Sequence, residues 1–235
     1  MPLPSHSRAA AFRAACKSHT AWHHWQPEYS GGSAVPLALR LIRVIDRISE
    51  LVGIVAIWLV LTSTLISALN AAIRYSSGGL LWLERTLGTG IFGALFNLYS
   101  ANSNALSEAT WYMFAGTVML GAPWALKVNA HVRVDLLYGA ISERARTWID
   151  LLGGLFFLLP LCILLLWFTS GWAWTSLITN EGSPDAGGLP LWPAKLLLPV
   201  GFALLGLQGI AEIVKCILAL TTSYVREFAY EKPVQ

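Results

Sequence analysis

Charged residues and cysteines are scarce in this sequence. Asp, Glu, Lys and Arg make up 12% of its 235 residues, whereas soluble domains carry about 25%. The formal net charge is only +3 and Lys and Arg form no long runs, which argues against nucleic-acid binding. The three cysteines are far apart and form no C-x-x-C pair, so a disulfide framework, a zinc site and a thiol oxidoreductase are poorly supported.

Long apolar stretches are what the sequence has instead. With 55% hydrophobic residues, the chain cannot be disordered. Four stretches reach the roughly 17–25 apolar residues that cross a bilayer, and they must be helices because lipid offers backbone groups no partner. We predict a membrane domain over residues 40–222, a mobile cytoplasmic extension over 1–39 and a short cytoplasmic tail over 223–235, with spans at about 48–72, 107–128, 147–179 and 193–220.

The orientation follows from the positions of the basic residues. Most Lys and Arg lie before the first span, between spans two and three, or near and after the end of the fourth. The opposite side holds only Arg74, Arg85 and Lys195. Because basic loops stay in the cytoplasm, the sequence predicts an all-α membrane protein with four transmembrane helices and both termini inside.

The connection between the first two spans has its own pattern. Over residues 80–99, leucines recur every three or four positions together with aromatic residues, but charges and glycines interrupt them. This pattern favours an additional amphipathic helix along the outer membrane surface. Packing against a partner subunit is the alternative. On the inner side, Ser142 is predicted to cap the start of span three, and Pro193 falls in the first turn of span four.

Residues for chemistry are missing from the spans. No span carries a histidine, which excludes bis-histidine haem. Spans one to three carry no acidic residue near the membrane centre, where a transporter acting alone needs one. Glu212 and Lys215, three residues apart in span four, are predicted to pair on one helix face as an anchor. No phosphate loop, nucleophile elbow or H-E-x-x-H motif occurs, so we predict no catalytic, metal or cofactor site and no enzyme activity.

Polar residues gather instead at the edges of the spans. They form three groups: Asn104, Ser107 and Glu108; His131, Arg133 and Asp135; and Glu181, Ser183 and Asp185. Judged by composition alone, these residues are ordinary polar loop ends exposed to solvent.

These edge motifs resemble a known family. The run from Asn104 to Tyr112, and the run from Leu126 to Asp135 with its His-x-Arg-x-Asp pattern, resemble the small membrane subunit of tripartite ATP-independent periplasmic (TRAP) transporters, the DctQ-like family. The run from Glu181 to Pro190, followed by Lys195, is similar to the branch called mannitol/chloroaromatic-type. The resemblance covers about residues 40–220, and its motifs fall in order around four spans.

The resemblance implies a scaffold of the bacterial inner membrane. In this family a periplasmic binding protein delivers a small organic solute to a large permease subunit, which carries the sodium and substrate sites, and the small subunit braces that permease. No cofactor is expected here. The alternatives are a four-helix membrane anchor of an enzyme or sensor complex outside transport and, less well supported, an independent small transporter. The residues predicted to contact the other subunits or to order loops are Arg74, Glu108, His131, Arg133, Asp135, Glu181, Asp185, Lys195, Glu212 and Lys215.

Overall fold

The described part of the chain is helical. The structure, a computed structural model, describes residues 35–88, 90–130 and 141–221, and these residues contain no strand. Residues 1–34 of the predicted extension, the predicted tail, and the group His131, Arg133 and Asp135 lie outside the described residues. Residues 35–39 of that extension are described and form the start of the first helix. The helices are α1 (Val35–Leu87), α2 (Ile91–Lys127), α3 (Glu143–Gly153), a π-helical turn (Gly154–Leu158), α4 (Leu159–Ile178) and α5 (Trp192–Thr221).

Three of the predicted spans are confirmed as helices long and apolar enough to cross a membrane. They are Ala38–Gly79, Arg144–Ile178 and Trp192–Thr221. The second predicted span, 107–128, lies on α2, which is long enough but does not meet the same standard of apolarity. The Trp, Tyr and Pro residues of α2 lower the mean hydropathy of this helix. The fourth span and the inward orientation of both termini therefore remain predictions.

The prediction of a separate amphipathic helix over residues 80–99 is wrong. This segment consists of the end of α1, which stops at Leu87, and the start of α2, which begins at Ile91. Gly88 and Gly90 have φ of 61° and 71°, a conformation that residues with a Cβ adopt only at a cost. Two glycines so close together end one helix and begin the next, and the leucine periodicity continues across both helices.

The third span combines three helical pieces into one rod. Ser142 caps α3 as predicted, since its hydroxyl accepts a hydrogen bond from the amide of Ala145. The π-helical turn ends just before Pro160. Proline cannot donate to the residue four positions back and its ring crowds that carbonyl, and a wider turn ahead of it relieves this conflict.

Small residues bring the helices close together. A Cβ on Gly201 of α5 would lie 2.6 Å from the Cβ of Met119 on α2, and one on Gly154 would lie 3.0 Å from Ile213 of α5. A Cβ on Gly53 of α1 would lie 2.8 Å from the Trp124 ring. Such close approaches are typical of helix packing in membranes. The hydrophobic effect does not drive helices together in lipid, so van der Waals contacts between closely packed helices stabilise the bundle instead. Helix α5 packs against both α2 and α4 and forms the centre of the bundle.

Candidate functional site

The molecule exposes apolar side chains and buries polar ones. Large hydrophobic residues of α1 and α4 lie on the outside, the reverse of the arrangement in a soluble protein. Polar and charged side chains are among the most buried. These buried residues are Ser49, Ser63, Glu108, Lys127, Thr147, Ser176, Lys195, Gln208 and Lys215.

One group of polar side chains, which we call the helix-linking cluster, comprises Asp46, Ser49, Gln208, Glu212 and Lys215. Gln208 of α5 is fully buried, and its amide is saturated by its neighbours. Its oxygen accepts a hydrogen bond from Ser49 of α1 at 2.7 Å. Its nitrogen donates to Asp46 and to Glu212, at 3.0 Å each. A side-chain amide thus joins α1 to α5 without an unsatisfied polar atom, as a buried position requires.

Lys215 completes the helix-linking cluster. Its ammonium lies 2.9 Å from Asp46 and 2.8 Å from Glu212. The predicted pair of Glu212 with Lys215 is therefore confirmed, and the structure adds a third member from α1. Two carboxylates share one ammonium, and all three side chains are largely buried. Removing one partner from such a group is costly because it leaves a charge without compensation.

A second ion pair lies at the same end of the bundle. The ammonium of Lys127, near the end of α2, contacts the carboxylate of Glu50 on α1 at 2.5 Å. Glu50 lies one turn after Asp46 on α1. Helix α1 is thus connected by charged side chains to α5 through one residue and to α2 through the other.

A second group, the loop-holding cluster, comprises Glu108, Glu181, Ser183 and Lys195. Glu108 of α2 is only 5% exposed. One carboxylate oxygen accepts a hydrogen bond from the hydroxyl of Ser183, and the other accepts from the backbone amide of Leu189. The carboxylate therefore binds both limbs of the loop that connects α4 to α5.

Lys195 and Glu181 close the base of the same loop. They form an ion pair, and the backbone amide of Leu191 donates to the carbonyl of Glu181 at 2.8 Å. The hydrogen bond from Lys195 holds the pKa of Glu181 below its ordinary value. The ammonium also lies 4.4 Å from the ring centre of Trp172, which is within cation–π distance.

Other contacts with α2 hold the loop along its length. Asn104 donates to the carbonyl of Ala186 at 2.9 Å, and the hydroxyl of Tyr112 donates to the carbonyl of Pro190 at 3.1 Å. Gly187 has φ of 73°, and a Cβ there would lie 2.8 Å from the carbonyl oxygen of Ala101. The glycine- and proline-rich loop is therefore bound to α2 through its backbone.

The two clusters are separated by about one membrane thickness. Glu50 and Asn70 on α1, Ser107 and Lys127 on α2, and Lys195 and Lys215 on α5 are each twenty residues apart in the numbering. Twenty helical residues span about 30 Å, which is the thickness of the hydrocarbon core of a bilayer. Asn70 donates to the Ser107 hydroxyl at 3.3 Å, so α1 and α2 are aligned at this level. The polar residues mark two parallel boundaries of an apolar slab, and this defines a multi-helix membrane protein.

The predicted site residues are divided between these clusters. The structure brings Glu108, Glu181 and Lys195 together at the loop and pairs Glu212 with Lys215. Arg74 and Asp185 are exposed, and neither side chain forms a hydrogen bond or ion pair with the residues that the structure describes.

Sequence reasoning missed Asp46, Gln208 and the pair of Glu50 with Lys127. The available signal was a glutamine inside an apolar span, because a polar side chain in lipid needs a partner on another helix. The partners themselves are far away in the sequence. Within the described ranges, no three His, Cys, Asp or Glu residues are arranged to hold a metal ion.

Comparison with known protein families agrees with this architecture. The family described as "Tripartite ATP-independent periplasmic transporters, DctQ component" matches residues 88–219, more than half of the chain. The chain therefore belongs to the DctQ family, the small membrane subunit of TRAP transporters. The matched region starts at the turn between α1 and α2 and contains the whole loop-holding cluster. No curated protein and no solved structure matched the chain.

Proposed function

We propose that this chain braces the large permease subunit of a TRAP transporter in the bacterial inner membrane. The complex takes up a small organic solute, with sodium coupling in the large subunit and delivery by a periplasmic binding protein. In this proposal α2 is the fourth span, both termini are cytoplasmic and the chain belongs to the mannitol/chloroaromatic-type branch. The chain itself carries no catalytic group or cofactor.

The position of the charges supports a scaffold role. On the described helices, no Asp, Glu, Lys, Arg or His lies between the two clusters. A protein that moves ions by itself keeps an ionisable residue near the membrane centre. Here the charged groups connect helices or hold a loop at the two boundaries. They stiffen the bundle, and its apolar outer faces on α1 and α4 remain free to pack against another membrane subunit.

The experiment is co-purification of the tagged chain from its native membrane in mild detergent, with partners identified by mass. We expect a large multi-span permease at equal stoichiometry. The same tag on an unrelated four-helix membrane protein is the control. Recovery of the chain with a non-transport enzyme or sensor, or without any permease, contradicts the proposal and favours the anchor alternative.

Orientation is tested by labelling single cysteines in a variant whose native cysteines are replaced by serine. Asp185→Cys and Arg144→Cys place a thiol at exposed positions near opposite membrane boundaries. An impermeant maleimide added to spheroplasts should label the first, and should label the second only after permeabilisation. The opposite pattern contradicts cytoplasmic termini.

A further inference from the structure

The ends of α1 and α2 continue well beyond the level of the loop-holding cluster. We call the described residues 71–88 and 90–106 the projecting hairpin, because they follow Asn70 on α1 and precede Ser107 on α2. Each arm has about 17 residues, which corresponds to roughly 25 Å of helix. Because the apolar slab ends at the level of Asn70 and Ser107, the tip of the hairpin lies outside the hydrocarbon layer.

Side-chain contacts join the two arms of the hairpin near the end of α1 and near its base. The carboxylate of Glu84 on α1 accepts hydrogen bonds from the backbone amides of Gly90, Phe92 and Gly93. These amides lie at the start of α2, where helix N–H groups lack partners and a negative charge is favourable. At the base, the hydroxyl of Tyr99 donates to the side-chain oxygen of Asn70. Contacts at both ends therefore join the two arms.

The surface of the hairpin is unsuited to water. Trp82 is 66% exposed and Leu98 is 65% exposed, and Ile91 and Leu95 are also exposed. Apolar side chains concentrated on a short element outside the hydrocarbon layer indicate an interaction surface. Membrane-embedded segments of a partner cannot cover the tip, because it lies about 25 Å beyond the apolar slab.

The exposed charges of the hairpin are basic. Arg74 and Arg85 are exposed, whereas Glu84, the only acidic residue of the segment, is bound to backbone amides. A partner that fits this surface presents acidic side chains beside an apolar patch. The hairpin also lies on the same side as the loop of the loop-holding cluster, where α2 meets both.

We infer that the projecting hairpin is a docking arm for the soluble solute-binding protein of the same transporter, through an acidic and apolar surface of that protein. This inference depends on the proposed function and orientation, which place the hairpin in the periplasm. A soluble partner suits an element that extends about 25 Å beyond the slab, since the hydrocarbon layer does not reach its tip.

The test measures binding of the purified solute-binding protein to the purified small and large subunits in lipid nanodiscs. Trp82→Ala should raise Kd on the order of tenfold, the effect of losing an aromatic anchor. Trp148→Ala is the matched control, because Trp148 is an exposed tryptophan on α3 at the opposite membrane boundary, and it should leave Kd unchanged. Arg85→Glu should weaken binding most at low salt, and Arg85→Lys should retain it.

A photo-reactive residue at Leu98 identifies the occupant directly. A cross-link to the solute-binding protein supports the inference, whereas a cross-link to the large subunit or to lipid overturns it. Unchanged Kd for both Trp82→Ala and Arg85→Glu, in nanodiscs that contain the large subunit, overturns the role of the hairpin and leaves the proposed function intact. If the large subunit does not associate with the chain, the proposed function fails and this inference with it.

Discussion

The two polar clusters use similar residues in different ways. In the helix-linking cluster, side chains contact side chains, and Asp46, Gln208 and Lys215 join two helices that are distant in sequence. In the loop-holding cluster, the Glu108 carboxylate contacts the backbone of a loop as well as a hydroxyl. The first arrangement sets the position of one helix against another, and the second sets the shape of a connection.

This difference predicts how far the destabilising effect of a substitution extends through the structure. Losing a member of the helix-linking cluster leaves charges buried between helices, so the whole bundle should be weakened. Losing a contact of the loop-holding cluster frees a segment that solvent can reach, so the effect should stay local. The predictions below test this contrast, starting with the largest expected effect.

Lys215→Met should destabilise the bundle by about 3–5 kcal/mol, because Asp46 and Glu212 would then share a buried site without a cation. Thermal unfolding of the purified protein in detergent measures the change. The triple variant Asp46→Asn, Glu212→Gln and Lys215→Met is the control, since it removes all three charges and should recover most of the stability. A single variant as stable as the wild type would show that the cluster does not hold α1 to α5.

Glu108→Ala should loosen the loop by about 1–3 kcal/mol, because the amide of Leu189 would lose an ionised acceptor. Hydrogen exchange at residues 181–191 should accelerate, while exchange at the helix-linking cluster stays constant. Asp185→Ala is the matched control, since Asp185 lies exposed on the same loop, and it should leave exchange unchanged. Faster hydrogen exchange throughout the bundle would contradict the expectation that the loop-holding cluster acts only locally.

Gly187→Ala should weaken the loop by about 1–2 kcal/mol, because the left-handed backbone disfavours a Cβ and that Cβ would also press on the carbonyl of Ala101. Limited proteolysis of the loop is the measurement. Gly182→Ala is the control, since a Cβ on Gly182 meets nothing within 4 Å. Equal cleavage of the two variants would argue against contact of the loop with α2.

The smallest expected effect is that of acid on Glu181. Its pKa is lower in the folded state because Lys195 donates a hydrogen bond to it. The contribution of the ion pair is therefore present above the ordinary pKa of 4.5, and it is lost as the pH falls through the lower folded value. In this acidic range, hydrogen exchange of the loop, residues 181–191, should become as fast in the wild type as in the Glu181→Gln variant. If the wild type still exchanges more slowly than the variant below the folded pKa of Glu181, the ion pair with Lys195 is not what acid removes.

Local features of the fold could be predicted from the sequence because they depend on neighbouring residues. Apolar length predicted four spans, and three of them are helices that satisfy the requirements for crossing a membrane. Ser142 predicted the start of α3. Pairing of Glu212 with Lys215 followed from helical spacing. The segment 80–99 was misjudged because its periodicity continues through a turn, and periodicity does not show where a helix reverses.

The sequence by itself determined that its long apolar stretches are helical and carry no charge in their middle, because lipid imposes these properties on any spanning segment. Only the tertiary structure decided which polar residues meet. Asp46 and Lys215 are 169 positions apart, and Glu108 and Leu189 are 81 positions apart. Their pairing depends on how the helices pack in three dimensions, and no local pattern in the sequence encodes that geometry.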